Sequence, residues 1–167
     1  TVSNRDFDVI VAGCGAAGLA AAVSAAEKGG RVAVLERSTR DERGGQSRYT
    51  EAYLRMKSRR EVSDDFEEHL AANGCGYLDP DFIAESAHAK RSRVVRSLSL
   101  ADPQLIEHFA ARAGDTIAWL ERHHVRFDFL PTQFLTSSQP RLLPVGGGLA
   151  VIEALAARAE ALGVVFL

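Results

Sequence analysis

Only two of the 167 residues are cysteines, Cys14 and Cys75, too few for a disulfide framework. Neither belongs to a CxxC or Cys/His cluster, so a zinc site is unsupported and no metal is expected; both read as free thiols in a reducing compartment. Excess charge of either sign is also lacking. Twenty Lys and Arg against 22 Asp and Glu leave a formal net charge of −2, which gives no electrostatic reason to expect nucleic acid as a partner. Long apolar runs are missing too. Val9–Ala26 carries no charged residue, but three glycines interrupt it, and Asp6 and Asp8 precede it where a signal peptide would carry positive charge. With no targeting segment evident, a cytoplasmic location is expected. What remains, 46% hydrophobic and 25% charged residues, fits a soluble globular chain with one core.

Glycine is plentiful, and its placement is informative. Asp8-Val-Ile-Val-Ala-Gly-Cys-Gly-Ala-Ala-Gly18 reads as strand, tight turn and helix start. Gly13 permits the turn, Gly15 lets backbone approach a pyrophosphate, and Gly18 lets helix and strand pack closely. The helix start, at Ala16 and Ala17, aims its unsatisfied N–H groups and positive dipole end at phosphate. Leu19–Lys28 is alanine-rich and helix-favouring, with Gly29-Gly30 as a stop. Arg31-Val-Ala-Val-Leu-Glu36 then reads as a second buried strand, closed about 18 residues beyond Gly18 by an acid suited to ribose hydroxyls. Residues 7–36 thus form a βαβ unit, and the expected class is α/β, a Rossmann-like parallel sheet.

Residues 37–60 read as a polar loop in which Gly44 and Gly45 allow a second close backbone approach. Residues 61–145 read as a long helical insertion. Helix starts are predicted at Ser63, at Asp79-Pro80 and at Asp102-Pro103, the last followed by an amphipathic stripe bent or broken near Gly114. Residues 127–144 look irregular. Residues 148–167 supply a returning helix and a third buried strand, Gly163–Leu167, at which the sequence stops and the sheet is incomplete.

Phe7–Gly18, Glu36-Arg37, Gly44-Gly-Gln-Ser47 and Gly146–Leu167 together resemble the start of the fumarate reductase/succinate dehydrogenase flavoprotein family. Arg43-Gly-Gly-Gln-Ser-Arg-Tyr-Thr-Glu-Ala-Tyr-Leu-Arg55 looks most like its FAD-dependent tricarballylate dehydrogenase branch. The resemblance implies an FAD-binding domain, with Gly13, Gly15 and Gly18 on the pyrophosphate and Ala16 and Ala17 at the helix start. It places Glu36 on the adenosine ribose with Arg37 beside it, and Gly44, Gly45, Gln46 and Ser47 on the flavin side. Covalent members attach flavin through a histidine at the position of Gln46; an amide cannot form that bond, so FAD is expected to be non-covalent. Many relatives follow this motif with a small, glycine-rich run, whereas Tyr49-Thr-Glu-Ala-Tyr53 stands here. The family's catalytic arginine shuttle falls beyond residue 167, so the chain reads as the inactive N-terminal part of a larger oxidoreductase. A small carboxylate substrate is implied, and an electron acceptor that in relatives is often a membrane electron-transfer protein.

Within the chain, Arg48 is the one candidate to clamp a substrate carboxylate, because guanidinium matches it in a planar, two-pronged way; a solvated loop arginine or a phosphate contact explains it equally. His123-His124 reads as a helix end, where charged imidazole suits the negative pole. Trp119 reads as core or lid, and Gly146–Gly148 as an approach to the flavin or a flexible hinge. Two rival readings stay open: a nicotinamide-dependent dehydrogenase domain with the same fold, and a non-catalytic nucleotide-binding module.

Overall fold

A computed structural model describes residues 6–64, 103–130 and 140–167. The helices predicted from Ser63 and Asp79-Pro80, and Cys75, lie outside these or at their border. The chain divides into two compact units. One comprises Thr1–Leu54, Trp119–Phe134 and Arg141–Leu167; the other comprises Arg55–Ala118 and Leu135–Pro140.

The first unit opens with the expected βαβ: β1 (Val9–Ala12), α1 (Ala16–Glu27) and β2 (Val32–Leu35). β1 and β2 pair in parallel, Val9 against Val32 through Ala12 against Leu35. Late in the chain, α3 (Gly147–Ala161) leads into β5 (Val165–Phe166), which pairs in parallel on the other side of β2, giving the order β1-β2-β5. An α/β fold with a parallel sheet is therefore present, its strands shorter than the apolar runs that announced them.

α1 and α3 pack against each other, and alanine explains how closely. Ala22, Ala156 and Ala159 are completely buried between them, with Leu19, Val23, Ile152 and Leu155 filling the remaining space. Each of those larger side chains contributes about 1.5–3 kcal/mol through burial. Val32 and Val34 meet this layer from the sheet. On the alternate positions Ile10 is 63% and Leu35 47% exposed, whereas Ala33 is buried. β2 is thus buried over Val32, Ala33 and Val34 as expected, while β1 keeps exposed positions at Val9, Ile10 and Ala12, which corrects the buried reading for that strand.

Two further expectations change in this unit. Residues 127–144, read as irregular, include an antiparallel pair, β3 (Phe127–Phe129) with β4 (Leu142–Pro144). Pro144 ends its strand, where a missing N–H costs least. Residues 37–47, read as too glycine-rich and charged for an element, run into a short 3₁₀ helix, Gly45–Tyr49.

In the second unit, Met56 bridges Val62 across a turn held by the Lys57 N–H to the Glu61 carbonyl, 3.0 Å. The helix signalled by Asp102-Pro103 forms as α2 (Pro103–Arg122), which ends in the first unit, and it runs through Gly114 without a break. Gly114 is there for proximity instead. A Cβ at that position would collide with the Arg60 carbonyl.

Candidate cofactor site

The two glycine turns of the sequence meet at the N-terminus of α1. Gly13 takes φ +85° and lets the chain turn out of β1. Gly18 sits directly against that turn, since a Cβ there would collide with the Gly13 carbonyl and lie 3.3 Å from Val11 Cγ1. α1 starts after Gly15 with no side-chain cap. The N–H groups of Ala17 and Gly18 have no acceptor within the helix, as for any first turn. That of Ala16 donates to Ser47 Oγ at 3.2 Å, which brings the second turn to the helix start. Gly44, at φ +118°, makes this second turn, and Gly15 faces it: a Cβ there would sit 3.5 Å from Ser47 Oγ and 3.6 Å from the Gly44 carbonyl oxygen. Beside Gly13 and Gly45 a Cβ would meet nothing within 4 Å, so both turns border open space.

Glu36 ties the end of β2 to the first turn. Its carboxylate accepts the N–H of Cys14 at 2.9 Å and of Ser38 at 2.9 Å. The Cys14 thiol also donates to it, and these bonds together hold the carboxyl well below its ordinary range, at about 2. Burial, with the Glu36 charge adding to it, pushes the Cys14 thiol up to about 11, so Cys14 is an unreactive, neutral thiol. An open cleft of about 350 Å³ begins at Glu36 and is bordered by Ser38, Arg40, Arg43, Glu160 and Phe166.

Of the remaining candidates, Ala17, Arg37, Gly45 and Gln46 are exposed beside these turns. Arg48 is half-buried and already engaged: its Nη1 donates to the Arg43 carbonyl at 3.3 Å and lies 3.5 Å from Glu153 Oε1. Gly146–Gly148 do not behave as a free hinge. The Gly148 N–H donates to the Thr50 carbonyl at 2.7 Å, and a Cβ on Gly148 would collide with the Ser47 carbonyl. The start of α3 is thus packed against the 3₁₀ helix.

Arg43 had no part in the expected site. It is 5% exposed, pairs through Nη1 with Glu160 Oε1 at 2.8 Å, and lies 5.0 Å over the Phe166 ring. In sequence it sits among Arg40, Asp41 and Glu42 and looks like one more solvated charge. Only the acid at 160, far along the chain, distinguishes it.

His123 and Trp119 lie away from the turns, at the C-terminal end of α1. Glu27 there accepts from Trp119 Nε1 at 3.3 Å and Arg158 Nη2 at 3.2 Å, with His123 Nε2 3.4 Å away. Trp119 meets His123 edge-on, centroids 4.5 Å apart. Burial lowers the His123 pKa despite the attraction of Glu27, which favours the neutral imidazole. The helix-end reading stands, since α2 ends at Arg122, but the charged form expected there is disfavoured by burial. His124 takes the left-handed turn, φ +67°. Among the described residues, no group of three or more His, Cys, Asp or Glu could hold a metal, and no helix is long and apolar enough to cross a membrane.

A parallel βαβ with a glycine turn, an acid closing its second strand and a second glycine turn at the helix start defines a dinucleotide-binding domain. The chain belongs to the FAD binding domain family, which matches residues 8–164. Its cofactor is FAD, and this decides against the nicotinamide reading. The vinyl phenol reductase of Lactiplantibacillus plantarum is 26% identical over 165 residues, covering 98% of this chain and 30% of that protein. Among solved structures, an open flavocytochrome c3 fumarate reductase superposes with a TM-score of 0.62 at 20% identity, over 99% of this chain and 27% of that one. The 3-ketosteroid-Δ4-(5α)-dehydrogenase of Rhodococcus jostii RHA1 gives 0.60 at 23% identity, over 100% and 39%. At these identities the two superpositions show a shared fold. The chain spans under a third of the curated relative's length.

Proposed function

We propose that this chain is the FAD-holding part of a flavin-dependent oxidoreductase that dehydrogenates or reduces a carboxylate. The observation that carries the proposal is the meeting of the two glycine turns at the start of α1, with the Ser47 hydroxyl on the Ala16 N–H. In it, Gly13, Gly15 and Gly18 let backbone approach the pyrophosphate, and the free first-turn N–H groups of Ala17 and Gly18 meet its charge. Glu36, kept ionised by the Cys14 thiol and its backbone donors, accepts from the adenosine ribose, with Arg37 at its side. Gly44, Gly45, Gln46 and Ser47 form the flavin-side wall.

FAD, once bound, supplies hydride acceptance or donation at flavin N5, and the protein contributes orientation and charge. Arg48 is the chain's own group for a substrate carboxylate, which would compete with Glu153 for it across the present 3.5 Å. Gln46 cannot bond covalently to flavin, so the cofactor is non-covalent in this proposal. Tricarballylate is the first substrate to test, on the resemblance of residues 43–55 alone. The electron acceptor, a membrane electron-transfer protein among the options, and a cytoplasmic location are further proposals.

The test is an absorbance spectrum of the natural full-length protein before and after acid precipitation. Flavin bands near ~450 nm that move into the supernatant as FAD support the proposal. A colourless protein that FAD cannot reconstitute refutes it, and flavin that stays in the pellet refutes the non-covalent part.

A further inference from the structure

We infer that Arg43 is a positioning residue for the cofactor: its guanidinium fixes the second glycine turn against α3 and β5 so that Ser47 reaches the start of α1. The inference rests on the proposal that residues 13–18 and 44–47 hold FAD. Arg43 is buried, and three separate contacts converge on it. Nη1 meets Glu160 of α3 at 2.8 Å, the guanidinium carbon lies 5.0 Å over the Phe166 ring of β5, and the main-chain carbonyl accepts Arg48 Nη1 at 3.3 Å. The next residue, Gly44, is boxed in by α3, since a Cβ there would lie 2.9 Å from Ile152 Cγ2. Three residues further on, Ser47 carries the bond to Ala16. The turn is therefore clamped at its entry by charge and at its exit by the hydroxyl bond to α1.

Stability alone does not account for a cation in this place. Arg43 is buried while Glu160 is 33% exposed, and a buried ion-paired group is often replaced by an apolar side chain of similar volume with no loss of stability. Here the arrangement is not even fully satisfied, because Arg43 Nε has no acceptor among the described residues. Arg40, which shares Glu160 at 2.7 Å, is 73% exposed and adds little. What a guanidinium provides and an apolar side chain does not is direction: Nη1 held on the Glu160 carboxylate and a flat face laid over the Phe166 ring fix the backbone that carries them. Arg43 touches no reacting atom in this scheme. It acts through Gly44 and Ser47.

The experiment uses the full-length protein stripped of FAD, with FAD titrated back by fluorescence, and compares wild type, Arg43→Met, Arg43→Lys and Glu160→Gln. Arg43→Met is expected to weaken FAD binding by about tenfold or more while the melting temperature of the apoprotein stays within about 4 °C of wild type. Arg43→Lys, which keeps the charge but loses the flat face on Phe166, is expected to recover only part of the lost affinity. Wild-type affinity in Arg43→Met overturns the inference, as does an equal loss in Arg43→Lys accompanied by a parallel fall in melting temperature. If Arg43→Met does not fold, Glu160→Gln decides: weakened FAD binding supports the clamp, and unchanged binding overturns it. Failure of wild type itself to take up FAD is a different result, which refutes the proposed site rather than the role of Arg43.

Discussion

Replacing Gly148 by alanine tests how the cofactor site is assembled. Gly→Ala near a helix start is ordinarily favourable by up to about 1 kcal/mol, because alanine has the better helix propensity and restricts the unfolded chain. Here the new methyl would run into the Ser47 carbonyl and come within 2.8 Å of Thr50 Cγ2 and 3.0 Å of the Thr50 carbonyl oxygen. Those atoms are backbone or close to it, so relief requires α3 to move off the 3₁₀ helix. Overpacking of that kind costs about 1–3 kcal/mol. Displacement would also lengthen the 2.7 Å bond from the Gly148 N–H to the Thr50 carbonyl, worth about 1 kcal/mol. The balance is a net loss of about 1–3 kcal/mol, read as a lower urea midpoint with an unchanged slope. FAD affinity should fall as well, because Ser47 shares the displaced segment. An unchanged or raised midpoint with wild-type FAD affinity would refute the reasoning and return residues 146–148 to the role of a hinge.

Three further outcomes follow from the same geometry. The Glu36 carboxyl sits at about 2 against an ordinary 4.5, so its stabilisation is present above pH 4.5 and lost as pH falls toward 2. That stabilisation is on the order of 3 kcal/mol, and Glu36→Gln should flatten this acid limb in pH-dependent urea melts; parallel curves would show that Glu36 does not carry it. His123 is lowered below 6.5, so the unfolded chain takes up a proton first and stability falls as pH drops below 6.5. His123→Gln should remove that component, and an imidazole that titrates in NMR at or above 6.5 would refute the neutral assignment. Gly114→Ala should destabilise by about 1–3 kcal/mol although it lies inside a helix, because the Arg60 carbonyl occupies the space a methyl needs; a stabilised variant in thermal melts would contradict this.

The βαβ unit was legible because each of its requirements is local. A turn that needs Gly13, a crossing that needs Gly18 and an acid at Glu36 are all fixed within 30 or so residues of one another. The second glycine turn was legible as a motif, but its partner was not: nothing near Ser47 in sequence announces that its hydroxyl bonds to Ala16. Arg43 and His123 were missed for one shared reason. Burial of a polar residue is decided by groups far along the chain, Glu160 and Phe166 in one case and Glu27 in the other, while the residues just before them, Glu42 and Arg122, are charged. Glycine misled in the opposite direction. At 114 it was read as a bend or break and at 146–148 as a flavin approach or a hinge, whereas Gly114 and Gly148 each make room for a carbonyl from another segment. Three-residue strands such as Phe127–Phe129 are too short to show alternation and depend on their pairing with Leu142–Pro144.

The packing of α3 on α1 and on the second turn also sets an order of events during synthesis. Gly44 leans on Ile152, Thr50 receives the N–H of Gly148, and Arg43 waits for Glu160, so each of these early residues finds its partner roughly a hundred positions later. Such contacts must be closed across a long intervening segment before they give anything back. A nascent chain can therefore shape the βαβ turn as soon as β2 has emerged, but the second glycine turn, the proposed flavin-side wall, lacks its contacts with α3 until α3 has left the ribosome.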